Sequence, residues 1–307
     1  MIKVQEYINA ISLLPEKYKD ILSVIPEDIA KKLKEIRFRK GEAVTLNGDI
    51  IYYLSSSGVV TSAYRDELIK TDEKDMQDIV FSLSRRSLHT YQEMIAKGYI
   101  PLRNGCKAGV VGKATIKNNS VYSVSSFNSV NIRISREFPS CSKNIIEAVR
   151  GCSSYLIVGP PMSGKTTLLR DLCRYYSGKD NLVPKKVAVI DERDEIASRS
   201  FGCFVDVGVH TDVLTLYPKA VGTEIALRTL SPDIIVLDEI GTEEESRALL
   251  SGMNSGVDFI ATAHGGSFEE VMRRPNVKTL INGGVFKKVI VLRGKDSPCE
   301  IKEVMSF

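Results

Sequence analysis

Eight consecutive residues, Gly159-Pro160-Pro161-Met162-Ser163-Gly164-Lys165-Thr166, carry the plainest chemistry in the chain. They fit the spacing GxxxxGK[ST]. In such a loop the glycines let backbone N–H groups turn inward around phosphate, the lysine supplies a point charge to the β- and γ-phosphates, and the hydroxyl reaches Mg²⁺. The context agrees with this reading. An apolar run at 155–158 precedes the loop as a strand, and a helical pattern at 166–176 follows it, so that the helix dipole favours an anion at its start. The expected ligand is a nucleoside triphosphate, ATP with Mg²⁺, held by Gly159 through Thr166 and by Thr167.

A second signal follows the loop by some seventy residues. Asp233-Ile234-Ile235-Val236-Leu237-Asp238-Glu239 is an apolar strand that ends in acid. Carboxylates at the C-terminal edge of a strand meet the ligand in an open α/β sheet. With Thr166, Asp238 would hold Mg²⁺ or its water, and Glu239 would orient and deprotonate an attacking water. Asp191-Glu192-Arg193-Asp194-Glu195 closes another apolar run, which brings Glu192 to the same edge. Ala261-Thr262-Ala263-His264-Gly265-Gly266 closes a further one, and His264 there would sense the γ-phosphate through a hydrogen bond that hydrolysis breaks. Phosphoryl transfer also draws on cations that meet charge developing on the γ-phosphoryl group. Arg133, Arg136, Arg193 and Arg228 are the candidates, acting in cis or from a neighbouring subunit, and the residues alone do not choose among them.

The elements that must position these groups divide the chain into two parts. After residue 140, short β-branched runs at 155–158, 187–190, 234–237 and 259–261 alternate with helical patterns, the clearest at 166–176 and 243–253. Unbroken apolar runs suit parallel strands buried on both faces, so the expected fold of 139–307 is α/β. The last segments, 288–293 and 300–304, read as an antiparallel pair. Residues 1–138 are expected to form a smaller α+β domain. It is helical to about residue 35, with Pro15 and Pro26 breaking the pattern, and then mixed. Its strands are expected at 36–39, 43–46, 50–54 and 59–60, with a tight turn at Asn47-Gly48. Helices follow from an Asp72 cap to about 86 and over 88–96, ending at Gly98. A meander over 106–135 turns at Asn118-Asn119, and Pro139 marks the linker.

Composition narrows the classes. A length of 307 residues suits about two domains. The net charge of +4 is too small to argue for nucleic acid or a membrane surface, and no basic run with interleaved aromatics appears. The six cysteines form no CxxC pair, which speaks against structural zinc. The chain opens without an apolar signal core, and no apolar run approaches the ~20 residues of a membrane span. A cytoplasmic protein with reduced thiols is the expectation.

Taken in order, GPPMSGKTT, VIDERDEIA (189–197), DIIVLDEIG (233–241) and ATAHGG (261–266) resemble the phosphate loop, acidic box, acid-ending strand and histidine box of the RecA-like secretion ATPases. The chain is still more similar to the stage III sporulation protein AA family of endospore-forming bacteria. That likeness is carried by EIRFRKGEAV (35–44), SLHTYQEMIAKGYIPLRNG (87–105), NIRIS (131–135), DVGVHTDVL (206–214), YPKA (217–220) and SPDIIVLDEIG (231–241). The resemblance implies a RecA-like P-loop ATPase domain behind a smaller docking and packing domain. It implies a homo-oligomer, a hexameric ring with nucleotide at the subunit boundary, on the mother-cell side of the forespore. The partners implied are membrane channel proteins of the sporulation complex, through which the ATPase sits peripherally at the membrane. Nucleic acid is not an expected partner. His210 and Lys107 stand where the family pattern suggests arginine. A histidine is only partly charged near neutral pH, and a lysine lacks the planar fork. Three other classes share such a core. A small-molecule kinase would need an acceptor pocket and a lid, and no Arg-rich lid insertion is visible. A nucleic-acid motor would be stimulated by single strands. A nucleotide-gated scaffold would bind ATP with little turnover.

Overall fold

The computed structural model describes residues 5–56, 58, 60–62, 64, 67–102, 105–136, 138–178, 183–199 and 205–307. Two compact units divide the chain near Arg136.

The N-terminal unit opens with three short helices, α1 (Gln5–Ile11), α2 (Glu16–Ser23) and α3 (Glu27–Ala30). Pro15 and Pro26 stand at the N-caps of α2 and α3, where a fixed φ and a missing N–H cost nothing. Seven antiparallel strands follow in the order β4-β3-β2-β1-β7-β6-β5: β1 (Glu35–Arg39), β2 (Thr45–Asn47), β3 (Ile51–Leu54), β4 (Val60–Thr61), β5 (Tyr99–Pro101), β6 (Lys107–Lys117) and β7 (Ser120–Arg133). Val59, expected in β4, lies outside the described residues. The β6–β7 hairpin turns where the sequence suggests, with Asn118 at φ 51° and Asn119 at φ 61°, the left-handed pair that a two-residue hairpin turn requires. Helix α4 (Glu73–Leu83) begins at a capping box in which Asp72 and Asp75 each bond the other's backbone N–H. Helix α5 is shorter than its pattern suggests, spanning Gln92–Ala96, and the chain leaves it through Gly98 at φ 86°. Tyr18, Phe38, Ile36, Leu46, Met76 and Val130 fill the core of this unit.

In the C-terminal unit a seven-stranded sheet runs β10-β9-β11-β12-β8-β13-β14. Its strands are β8 (Tyr155–Gly159), β9 (Val187–Asp191), β10 (Thr211–Thr215), β11 (Ile234–Leu237), β12 (Asp258–His264), β13 (Lys288–Gly294) and β14 (Ser297–Ser306). All neighbours pair in parallel except β13 with β14. The apolar runs are continuous because both faces are covered. Leu156, Val158, Ala188, Ile190, Ile235 and Leu237 face one core, which they share with α8 (Lys219–Thr229), α9 (Glu243–Asn254) and α11 (Pro275–Asn282). Tyr155, Ile157, Val187, Val189, Ile234 and Val236 face another, packed on α6 (Lys143–Ala148) and α7 (Lys165–Ser177). This unit has the α/β RecA-like fold that the sequence predicts, and the N-terminal unit is built on an antiparallel sheet. Strand β10 and helices α6, α8, α10 (Phe268–Met272) and α11 lie where the sequence reading marks no element.

Buried Asp171 anchors the entry to this unit onto α7. It accepts from Ser140 N at 3.0 Å, Ser142 N at 2.9 Å and Ser142 Oγ at 2.6 Å, with Arg174 beside it at 3.3 Å. Burial alone would raise its carboxyl. The Ser142 and Ser140 hydrogen bonds and the Arg174 charge outweigh that and hold it below the usual aspartate range. Its stabilising contribution is therefore full above the ordinary aspartate value and fades as pH falls through the lowered folded value. Asp171→Ala is expected to lower stability by about 2–3 kcal/mol at pH 7, and by progressively less in acid. Urea titrations at pH 7 and at pH 3 check it; an equal loss at both would contradict the ionic account.

Candidate functional site

Strand β8 leads into the glycine-rich loop 159–166. Gly159, its last residue, has no room for a side chain, since a Cβ there would run into Ser163 Oγ. Gly164 takes φ 93°, left-handed backbone that glycine adopts without strain, and a Cβ on it would meet Cys299 of β14. Helix α7 starts at once, so the first backbone N–H groups of a thirteen-residue helix point into the loop. Lys165 is buried, with Nζ donating to the carbonyls of Gly159 at 2.8 Å and Pro160 at 3.0 Å. Burial pushes its ammonium down, and the charges of Asp238 and Glu239 oppose that. Ser163 Oγ is buried with no hydrogen-bond partner in the loop. Met162 is exposed at φ 63°, and Pro161 is exposed beside it.

The acids arrive from β11. Thr166 Oγ1 donates to Asp238 Oδ2 at 3.1 Å, and Thr262 of β12 donates to Asp238 Oδ1. Burial raises the Asp238 carboxyl, the hydrogen bonds from Thr262 and Thr166 lower it, and the charges of Glu239 and Glu195 push it up again, for a net rise. A hydroxyl and a carboxylate in contact, with acidic repulsion around them, suit Mg²⁺, which takes one or two protein oxygens and completes its shell with water and phosphate. Glu239 follows at φ 47°, a left-handed conformation unusual for a residue with a side chain. Its N–H donates to Thr262 Oγ1 at 2.8 Å, and its carboxylate accepts from Arg193 Nη1 at 2.9 Å.

The acidic turn after β9 is a fixed hook. Asp191 is buried and accepts from the N–H groups of Glu195, Ile196 and Ala197. From α7, Arg170 grips the carbonyls of Glu195 at 2.6 Å and Ile196 at 2.8 Å. This turn holds Glu192 and Arg193 at the end of β11. On the other side His264, the last residue of β12, stands exposed across from Gly159, and Gly265 N donates to Gly159 O at 3.3 Å.

Lys165, Thr166, Glu192, Asp238, Glu239 and His264 therefore share one edge of one sheet. The arginines differ. Arg193 touches Glu239. Arg228 lies nine residues along α8 from Lys219, about 13 Å at 1.5 Å per residue, in a groove with Glu244, Arg247 and Ser251. Arg133 ends β7 in the N-terminal unit, exposed and 3.8 Å from Glu35. Arg136 donates to the carbonyl of Leu33 at 2.8 Å. Sequence reasoning missed Lys219, Thr262 and Arg170 as parts of this arrangement. Thr262 lies within ATAHGG, Arg170 within the 166–176 helical pattern and Lys219 within YPKA, but nothing local assigns them to this arrangement, because their partners come from other elements.

The family model described as sporulation stage III, protein AA matches residues 4–306. The chain belongs to that family. It is 35% identical over 302 residues to stage III sporulation protein AA of Bacillus subtilis (strain 168), covering 95% of this chain and 92% of that protein. Solved structures give the same fold. The ATPase DotB of Legionella pneumophila superposes with a TM-score of 0.54 at 16% identity, covering 91% of this chain and 78% of that one. The pilus retraction motor PilT, solved with bound ADP, superposes at 0.53 and 16% identity, covering 86% and 75%. This member of the sporulation family thus has the fold of the secretion-type ATPases. No helix among the described residues is long and apolar enough to cross a membrane.

The Arg193–Glu239 pair joins two solvent-facing side chains. Such pairs are worth about 0–1 kcal/mol. Arg193→Ala should leave the unfolding midpoint unchanged and, by releasing Glu239, raise basal turnover by at most about fivefold. Steady-state phosphate release checks this; a fall in turnover would instead make Arg193 a group that supports the transition state.

Proposed function

We propose that this chain is a Mg²⁺-dependent ATP hydrolase, working as the cytoplasmic motor of a secretion-like channel complex between mother cell and forespore. The observation that carries the reading is the contact of Thr166 with Asp238 at 3.1 Å, which joins the phosphate loop to the acid-ending strand with Glu239 next in line. The ADP bound by the PilT structure supports nucleotide as the ligand class.

Each group has a role in this reading. The N–H groups of 159–166 and the start of α7 cradle the β- and γ-phosphates, with Thr167 closing the cradle. Lys165 leaves the carbonyls of Gly159 and Pro160 for the phosphate oxygens, which satisfy its buried charge better. Thr166 and Asp238 would hold Mg²⁺, which would supply positive charge against the phosphates. Glu239 takes the proton from a water as its oxygen bonds to the γ-phosphorus and the bond to ADP breaks. His264, beside Gly159, reports the γ-phosphate to β12. Arg133, exposed beside Glu35 in the N-terminal unit, and Arg228, in the groove with Glu244 and Arg247, would serve a neighbouring subunit of a hexameric ring. The N-terminal unit docks partners and packs subunits.

The test is phosphate release from Mg²⁺-ATP, with and without single-stranded nucleic acid, with oligomer size measured on the same samples. Turnover that rises with oligomer formation and ignores nucleic acid supports the motor. Stimulation by a single strand would favour a nucleic-acid motor, and tight binding without turnover a nucleotide-gated scaffold.

A further inference from the structure

Lys219 opens α8 with its side chain buried, yet it reaches back to the end of β11. Nζ donates to the carbonyl of Glu239 at 2.6 Å, and lies 3.0 Å from Glu245 Oε1 and 3.6 Å from Glu192 Oε2. Glu245 is itself fixed, since its other oxygen accepts from Gly241 N at 2.7 Å and Thr242 N at 3.1 Å. One cation thus joins the acidic turn after β9, the end of β11 and the start of α9.

A buried lysine between two carboxylates is ordinarily a structural ion pair. Two observations point further. Its shortest bond goes to neither carboxylate but to the backbone of Glu239, and that residue is in the left-handed region at φ 47°. The Glu239 backbone is also held from the opposite side, where its N–H meets Thr262 Oγ1. A residue in a sparsely populated conformation persists only where its surroundings over-determine it, and here a donor from α8 and an acceptor from β12 do so. The direction of the Glu239 Cα–Cβ bond follows from that backbone, and with it the reach of the carboxylate.

We propose that Lys219 is a positioning residue for hydrolysis: it clamps the Glu239 carbonyl so that the carboxylate meets the attacking water, and Glu192 acts through Lys219 rather than on the nucleotide. The inference rests on Glu239 serving as the base. Glu245 supplies the fixed counter-charge and Glu192 the adjustable one, so the acidic turn and α9 are both coupled to the set of the base.

The experiment measures kcat, KM and Mg²⁺-ATP affinity for K219M, K219R, E192Q and the double variant K219M/E192Q, with E239Q alongside and unfolding midpoints for all. A misplaced catalytic group costs about 100-fold, so K219M is expected to lose about that much kcat while KM and affinity stay within about threefold. K219R preserves the buried charge but moves the donor, because a planar guanidinium replaces a compact ammonium. It should keep the wild-type midpoint and lose about tenfold in kcat, which keeps the test valid if K219M folds poorly. The double variant should be no slower than K219M alone, the mark of one residue acting through the other. If E239Q is inactive while K219M and K219R turn over like wild type, or lose affinity instead of kcat, the positioning role is wrong. If E239Q itself turns over like wild type, the reading of the base fails and takes this inference with it.

Discussion

Glu239→Gln is expected to bind Mg²⁺-ATP as tightly as the wild type and to hydrolyse it about a thousandfold more slowly. The backbone at this position is held through its N–H by Thr262 and through its carbonyl by Lys219, and neither bond uses the side chain. The amide is nearly isosteric with the carboxylate, so the left-handed turn survives the change. What disappears is basicity. A carboxamide oxygen still accepts a hydrogen bond from water, but it does not take the proton as the oxygen–phosphorus bond forms. General-base catalysis contributes about 10²–10⁴ in rate, which sets the expected loss. Asp238 benefits, because the negative charge of Glu239 is among the influences that raise its carboxyl. Calorimetric binding and single-turnover hydrolysis on one preparation make the check. A glutamine variant that turns over normally would remove Glu239 from the mechanism; one that no longer binds would make it part of the ligand cradle.

The glycine-rich loop 159–166 was legible as a structural element because its residue types state their own geometry. Gly164 is left-handed at φ 93°, Gly159 abuts Ser163, and Lys165-Thr166 opens a helix; each is a local requirement that few other residues meet. Strands β8, β9, β11 and β12 were legible because burial on both faces forces continuous apolar runs. Strand β10 was not, since an edge strand reading Thr-Asp-Val-Leu-Thr has one neighbour and half-exposed faces. Helix α8 hides for another reason. Gly222 interrupts its pattern, and it is glycine because a Cβ there would press on Ile190 of the sheet at 2.6 Å, a contact between residues thirty-two apart in the chain. The clamp on Glu239 is of the same kind. Lys219, Thr262 and Glu239 come from α8, β12 and the end of β11, and only the strand order β9-β11-β12 brings them together. Local spacing carries the loop proposed to meet phosphate, and the network around Glu239 is tertiary.

Lys165→Ala should fail at an earlier step, losing binding and turnover together. The Lys165 ammonium is buried beside two acids, and its present partners are loop carbonyls, neutral acceptors that a phosphate would outbid. Removing one member of a buried charge pair costs about 2–5 kcal/mol, so affinity for Mg²⁺-ATP is expected to fall about 30-fold or more. The acids suffer as well. With Lys165 gone, Asp238 and Glu239 keep their mutual repulsion without the adjacent cation, and a carboxyl already raised by burial is pushed further from its charged form. Linkage supplies the measurement. A ligand that binds only the folded state raises the unfolding temperature in proportion to the logarithm of its concentration over Kd. Wild type and E239Q should both show that rise with Mg²⁺-ATP, and K165A should show a much smaller one at the same concentration. Binding and chemistry are then separated on two residues that lie beside the same carboxylate, Asp238. If K165A kept the thermal shift and lost only turnover, Lys165 would meet the phosphate in the transition state alone, and the ground-state cradle would have to be built from the α7 N–H groups without it.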